Sequence, residues 1–108
     1  MKIILLLTAL ISFICELNAQ VTFTKITTGA IVNDASYTEG VYWFDYNNDG
    51  LPDMFAANIT NQNNILFRND GSGNFTKITA GALVNDGGFS YGASIGDFNN
   101  DGYPDIFV

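Results

Sequence analysis

A chain of 108 residues with 4 basic and 11 acidic side chains and no histidine carries a formal charge of −7. An acidic surface repels phosphate backbones and disfavours nucleic-acid binding, and the missing imidazole excludes Ser-His-Asp and Cys-His catalysis within these residues. Apolar residues make up 47% and aromatic residues 14%, which argues against disorder and for a packed core.

The first segment reads as a processing signal. Lys2 supplies a positive start, and Ile3 to Ile14 is an apolar run interrupted only by Thr8 and Ser12. Leu17-Asn18-Ala19 reads as a small-residue cleavage site, with Gln20 as the mature start. Residues 1–19 are therefore expected to be a secretory signal peptide. The run is short of the about 20 apolar residues of a transmembrane helix. Lipid attachment at Cys15 is the weaker reading, because bulky Phe13 and Ile14 precede it where small residues belong. Cys15 is the only cysteine, so the mature chain holds no disulfide, and metal ions are the obvious alternative staple.

The following patterns have the period of strands. Val21 to Ile26 alternates apolar and polar residues, and Val41 to Tyr46 is rich in aromatics. Met54 to Ala57 and Ile65 to Arg68 are short apolar runs, and Phe75 to Ile78 follows the turn cluster Asn69-Asp70-Gly71-Ser72-Gly73-Asn74. No window after the signal shows helical periodicity with caps. The unit reads as four short strands. Its hairpins are closed by an Asp-rich loop at residues 45–53, by the Asn-rich stretch Asn58 to Asn64, and by the Gly-Ser-Gly turn.

The chain repeats itself at an offset of 52 residues. Phe23-Thr24-Lys25-Ile26-Thr27 returns as Phe75-Thr76-Lys77-Ile78-Thr79, and Val32-Asn33-Asp34 as Val84-Asn85-Asp86. Gly29-Ala30 returns as Gly81-Ala82, and Gly40 as Gly92. The period suits one multi-stranded unit such as a propeller blade. Residues 20–108 thus form a repeat region, with units at about 23–74 and 75–108. The second unit stops as a new strand opens, so the chain reads as part of a longer array.

The loop is the most closely repeated piece. Asp45-Tyr46-Asn47-Asn48-Asp49-Gly50-Leu51-Pro52-Asp53 returns as Asp97-Phe98-Asn99-Asn100-Asp101-Gly102-Tyr103-Pro104-Asp105. Oxygen side chains stand at loop positions 1, 3, 5 and 9, a spacing that suits a hard cation such as calcium. The candidate ligands are Asp45, Asn47, Asp49, the Leu51 carbonyl and Asp53, then Asp97, Asn99, Asp101, the Tyr103 carbonyl and Asp105. Grouped carboxylates repel one another, and a divalent ion turns that repulsion into attraction. The bland alternative is a polar hairpin turn, since Asn-Asp-Gly is turn chemistry. An EF-hand is disfavoured, because position 12 is Ala56 or Val108 and the flanks read as strands.

These residues resemble FG-GAP/VCBS-type repeats, as found in integrin α-chain heads, cartilage acidic protein-like proteins and secreted bacterial proteins. The resemblance is carried by Gly40 to Asn58 and Asn64 to Phe75, is specific at the Asp loop and the Asn69 to Phe75 turn, and covers nearly all of the chain after the signal. It implies an all-β fold of β-propeller blades with calcium in the blade hairpins. Here the propeller is incomplete, with about one and two-thirds repeats present. Asn47 and Asn99 stand where many relatives carry Asp, which removes one negative charge per site.

Other residues take plainer readings. Tyr42, Trp43 and Phe44 could stack a ligand, but alternate members should pack between sheets. Asn58-Ile59-Thr60 and Asn74-Phe75-Thr76 match the glycosylation pattern. Gly71 and Gly73 precede no helix and form no phosphate cradle. The metal loops account for the paired carboxylates better than acid–base catalysis does. The expectation is a secreted, calcium-binding, non-catalytic propeller segment for extracellular recognition or adhesion. Its partner would be an extracellular protein or glycan, and neighbouring blades are needed to close the ring. The alternatives are an accessory propeller of a secreted polysaccharide-acting enzyme, or a structural spacer.

Overall fold

The computed structural model describes residues 21–108. The expected signal peptide, Cys15 included, lies outside the described residues. A short helix α1 (Ala30–Asn33) precedes strands β1 (Thr38–Phe44), β2 (Asp53–Asn58), β3 (Ile65–Gly71) and β4 (Asn74–Ile78). A 3-10 turn (Ala82–Val84) then leads to β5 (Ser94–Gly96) and β6 (Asp105–Phe107).

Strands β1 to β4 form one antiparallel sheet in chain order, and β5 and β6 form a second, two-stranded sheet. The fold is all-β, as the sequence patterns imply. The three hairpins of the larger sheet close at the Asp loop, at the Asn-rich stretch and at the Gly-Ser-Gly turn. In that last turn Gly71, Ser72 and Gly73 all hold positive φ (80°, 53° and 79°), which two glycines make inexpensive.

Two local features differ from the sequence expectation. Val21 to Ile26 alternates like a strand but has no strand assignment, and Phe23 is 96% exposed. Alternation makes a strand only where an edge offers hydrogen bonds. The matching edge, β3, is already taken by β4, whose residues Phe75 to Ile78 repeat Phe23 to Ile26. The helical turns at Ala30–Asn33 and Ala82–Val84 are one turn or less, too short to show a helical period. They occupy equivalent places in the repeat, each entered through a glycine at positive φ, Gly29 at 110° and Gly81 at 109°.

The sheet has an apolar cluster on each face. Phe55, Ala57, Leu66 and Val84 form one cluster, with Tyr42, Phe44 and Ile78 packed around it. Ala56, Ile65 and Phe67 form the other, with Ile31, Met54 and Phe75. The antiparallel register explains the division, because Tyr42 lies opposite Phe55 while Val41 lies opposite Ala56. Strand β2 is therefore buried on both sides. Burying Phe55 and Phe67 contributes roughly 1.5–3 kcal/mol each.

Aromatic pairs lace the faces. Tyr42 and Phe55 have ring centroids 6.3 Å apart, and Trp43 meets Phe75 edge-on at 6.1 Å. Such contacts are each worth about 0.5–1.5 kcal/mol beyond burial. Tyr42 and Trp43 thus point to opposite faces, as the alternation requires. On the Phe55 face, Leu83, Val84, Ala93 and Ile106 of the second unit pack against the first sheet.

The sheet and the sequence repeat are out of phase. The four-stranded sheet runs from Thr38 to Ile78, so its last strand is the start of the second sequence unit. The second copy of the Phe-Thr-Lys-Ile-Thr block is thus the outer strand of a sheet whose inner strands precede it.

Candidate functional site: the paired Asp loops

Each Asp loop joins two strands of a hairpin, β1 to β2 and β5 to β6. In each loop the N–H groups of positions 2, 5, 6 and 7 bond to side-chain acceptors of the loop itself. In the first loop Asp45 Oδ1 accepts the Asp49 N–H at 3.0 Å and Asp45 Oδ2 the Gly50 N–H at 2.7 Å. Asp49 Oδ1 accepts the Leu51 N–H at 2.8 Å. Asn47 Oδ1 accepts from the Asp49 N–H at 3.3 Å, and the Asn47 amide donates to Asp49 Oδ2 at 2.8 Å.

Asp53 closes the loop from below. It is fully buried, with Oδ2 accepting the Tyr46 N–H at 3.0 Å and Oδ1 the Asn69 N–H of β3 at 2.7 Å. One carboxylate therefore ties the loop entrance, the start of β2 and the middle of β3. Charge-assisted bonds to both oxygens are what makes a buried carboxylate tolerable.

The second loop repeats the bonds internal to the first, without a counterpart of the Asn69 bond. Asp97 accepts from Asp101 at 3.0 Å and Gly102 at 2.8 Å, and Asp101 accepts from Tyr103 at 2.9 Å. Asn99 accepts from Asp101 at 3.0 Å and donates to its carboxylate at 2.9 Å. Asp105 accepts from Phe98 at 2.9 Å, the counterpart of Asp53 with Tyr46. Both loops need left-handed backbone at the same two places, Asn48 (φ 57°) with Gly50 (86°), and Asn100 (61°) with Gly102 (88°). Asparagine and glycine are the residues that adopt it most cheaply.

The loops also touch each other. The Asn48 amide donates to the Gly102 carbonyl at 2.8 Å, across 54 positions of sequence. Two acidic hairpins are thus in contact.

The donors are all oxygen, as calcium requires. A carboxylate oxygen that accepts one N–H keeps a second lone pair, so the internal bonds orient the acids without exhausting them. In the described geometry the acids serve the loop's own N–H groups. Among the described residues no group of three acidic side chains stands where it would hold an ion. Leu51 and Tyr103, whose carbonyls are the remaining candidate ligands, lie in the same loops as the acids.

At the far end of the strands lies a polar cluster that sequence reasoning missed. Asn58 and Asn64 are both buried. The Asn58 N–H donates to Asn64 Oδ1 at 2.8 Å, its amide donates to the Asn63 carbonyl at 2.8 Å, and its Oδ1 accepts from Thr38 at 2.8 Å. Asn64 donates to Asp86 and Ser90 of the second unit. The Asn58 side chain is fully enclosed and bonded at both amide atoms, so the folded chain offers no glycan acceptor there. The duplicated Val-Asn-Asp block containing Asp86 was the available signal. Its partner, 22 residues earlier, was not legible.

Residues 45–108 match the family model described as FG-GAP-like repeat. No curated protein and no solved structure gives a significant match. Among the described residues no helix is long and apolar enough to cross a membrane.

Proposed function

The chain belongs to the FG-GAP-like repeat family, and on that premise we propose that it is a secreted, calcium-binding segment of a β-propeller that serves extracellular recognition or adhesion without catalysis. The observation that carries this reading is the match of the internal hydrogen bonds of two acidic loops, 52 residues apart in sequence and in contact with each other. A turn needs one good solution. Two copies that keep the distal Asp as well as the proximal ones favour a shared ligand.

Calcium would be held by Asp45, Asn47, Asp49, the Leu51 carbonyl and Asp53, and by Asp97, Asn99, Asp101, the Tyr103 carbonyl and Asp105. When bound, the ion supplies positive charge that offsets the repulsion among the three carboxylates of each loop. Asp53 and Asp105 sit on β2 and β6, so they join each loop to its sheet. Asp45 and Asp97 orient the turn through the N–H groups of positions 5 and 6. The proposed export route is the residue 1–19 signal, which suits a calcium-rich exterior.

Thermal unfolding with and without calcium tests this reading. At the roughly 10⁻⁴–10⁻³ M affinity of extracellular modules, millimolar calcium adds about 0.4–1.4 kcal/mol per site. The midpoint should rise with calcium and fall back with a chelator. In an Asp49→Ala/Asp101→Ala variant it should not move. A midpoint indifferent to calcium in the wild-type chain would remove the metal from the account.

A further inference from the structure

The end of the sheet away from the Asp loops holds a cavity of about 370 Å³, within the range of about 300–1,000 Å³ usual for ligand pockets. Its lining comes from the segment before β1, the β2–β3 loop, the end of β4 and the segment that follows, all within residues 36–85. Ser36, Gln62, Asn63 and Asn85 make it polar, and Ile78 and Val84 supply an apolar patch. The three amides are fixed from behind. The Tyr37 N–H donates to Gln62 Oε1 at 2.8 Å, the Gly87 N–H to Asn63 Oδ1 at 2.9 Å, and the Asn85 amide to the Gly81 carbonyl at 3.0 Å. Each amide thereby keeps one atom spare. Among the described residues the Gln62 and Asn63 amide nitrogens and the Asn85 amide oxygen have no partner.

Exposed rings stand beside the same loop. Tyr37 is tied to Gln62 through its N–H, and Gly88 pairs with Gln62 in an isolated β-bridge, which sets Phe89 next to it. Tyr37 and Phe89 are repeat counterparts, 65% and 64% exposed. Tyr37 meets the β2–β3 loop of its own unit and Phe89 that of the unit before, and neither arrangement covers the ring. Charge narrows what suits the site. Lys77 of the lining is held by Asp34 at 2.6 Å, and Asp86 bonds Asn64 at the edge. A phosphate or carboxylate ligand would meet two acids and a cation already paired.

We propose that this cavity binds a neutral saccharide, whose hydroxyls meet the spare amide atoms of Gln62, Asn63 and Asn85 while Tyr37 and Phe89 take its C–H faces. Amides offer both donors and acceptors, as sugar hydroxyls require, and the rings add apolar area at a polar rim. The bonds behind the amides hold them in place before the ligand arrives, which lowers the cost of binding. The inference rests on the recognition role proposed above and names its ligand class. It is independent of calcium, since the described lining holds no residue of the Asp loops.

Binding of the labelled full chain to an array of neutral, sialylated and sulfated glycans supplies the test, followed by calorimetric titration with the neutral saccharide that binds best. Neutral glycans should be retained, and acidic ones should not be preferred. Gln62→Ala and Tyr37→Ala/Phe89→Ala should each weaken that saccharide by about tenfold. Their response to calcium should match wild type. Circular dichroism checks that each variant keeps its sheet, and the exposed ring pair decides the matter if Gln62→Ala unfolds. An array on which no neutral glycan binds overturns the proposal, as does a preference for acidic glycans or an affinity unchanged in the variants. A chain that binds the saccharide but ignores calcium would remove the metal reading alone.

Discussion

Asp86 takes both N–H donors of Asn64, the backbone one at 3.1 Å and the side-chain one at 2.5 Å, across the boundary between the two units. Asn64 in turn accepts the buried Asn58 N–H, so one exposed carboxylate anchors a chain of bonds that ends inside the sheet. The arrangement makes Asn64 more costly to lose than its loop position suggests. Asn64→Ala leaves the Asn58 N–H buried and unpaired, and should destabilise by about 1–3 kcal/mol. Asp86→Ala should cost about 1 kcal/mol, because water can reach part of the gap. Urea unfolding of both single variants and the double should give a coupling of roughly 0.5–3 kcal/mol. Simple additivity would mean the two residues act independently.

The repeated Phe-Thr-Lys-Ile-Thr block offers an internal control on the fold. Phe75 stacks edge-on against Trp43 and packs on the Phe67 cluster, whereas Phe23 stands 96% exposed. Phe75→Ala should cost about 1–3 kcal/mol, less than a fully buried Phe because the ring is half-buried. Phe23→Ala should stay within about 0.5 kcal/mol of wild type. Equal effects at the two positions would show that both blocks are strands in solution.

Two acids contribute to the response to low pH. Burial pushes the Asp34 carboxyl up, but bonds from Lys77 and Ser36 and the Lys77 charge outweigh it, leaving Asp34 below its ordinary value of 3.8. Bonds from Thr76 and Arg68 hold the exposed Asp70 carboxyl below 3.8 as well. Each folded carboxyl therefore binds a proton less readily than its unfolded counterpart. The stability they contribute is complete above pH 3.8 and is lost as pH falls through the lowered folded values. The loss should be small, since both pairs meet solvent. Unfolding midpoints measured down an acid series should fall less steeply in an Asp34→Asn/Asp70→Asn variant. A variant as acid-sensitive as wild type would place the response in other carboxylates.

How much of this was legible in the sequence follows from the range of each interaction. Strands β1 to β4 show as alternation and apolar runs, and their hairpins as Asn-Asp-Gly and Gly-Ser-Gly, because strand period and turn chemistry are local. The Asp loops show for the same reason: every bond in the turn itself spans seven residues or fewer. What stayed hidden depends on partners far along the chain. Nothing in Asn58 or Asn64 marks them as buried until Asp86 and Ser90 arrive from the next unit. Nothing in Phe23 separates it from Phe75 except that β3 has one edge to offer, and β4 takes it. The single helical turns were hidden by their length.

The central claim is that the paired loops bind calcium, and calorimetric titration of the full chain tests it most directly, with circular dichroism confirming the sheet. The account predicts saturable binding at two sites, abolished in the Asp49→Ala/Asp101→Ala variant and retained in Asn64→Ala. A chain that is folded by circular dichroism and gives no heat with calcium would contradict it, and would leave the Asp loops as turns that serve only their own N–H groups.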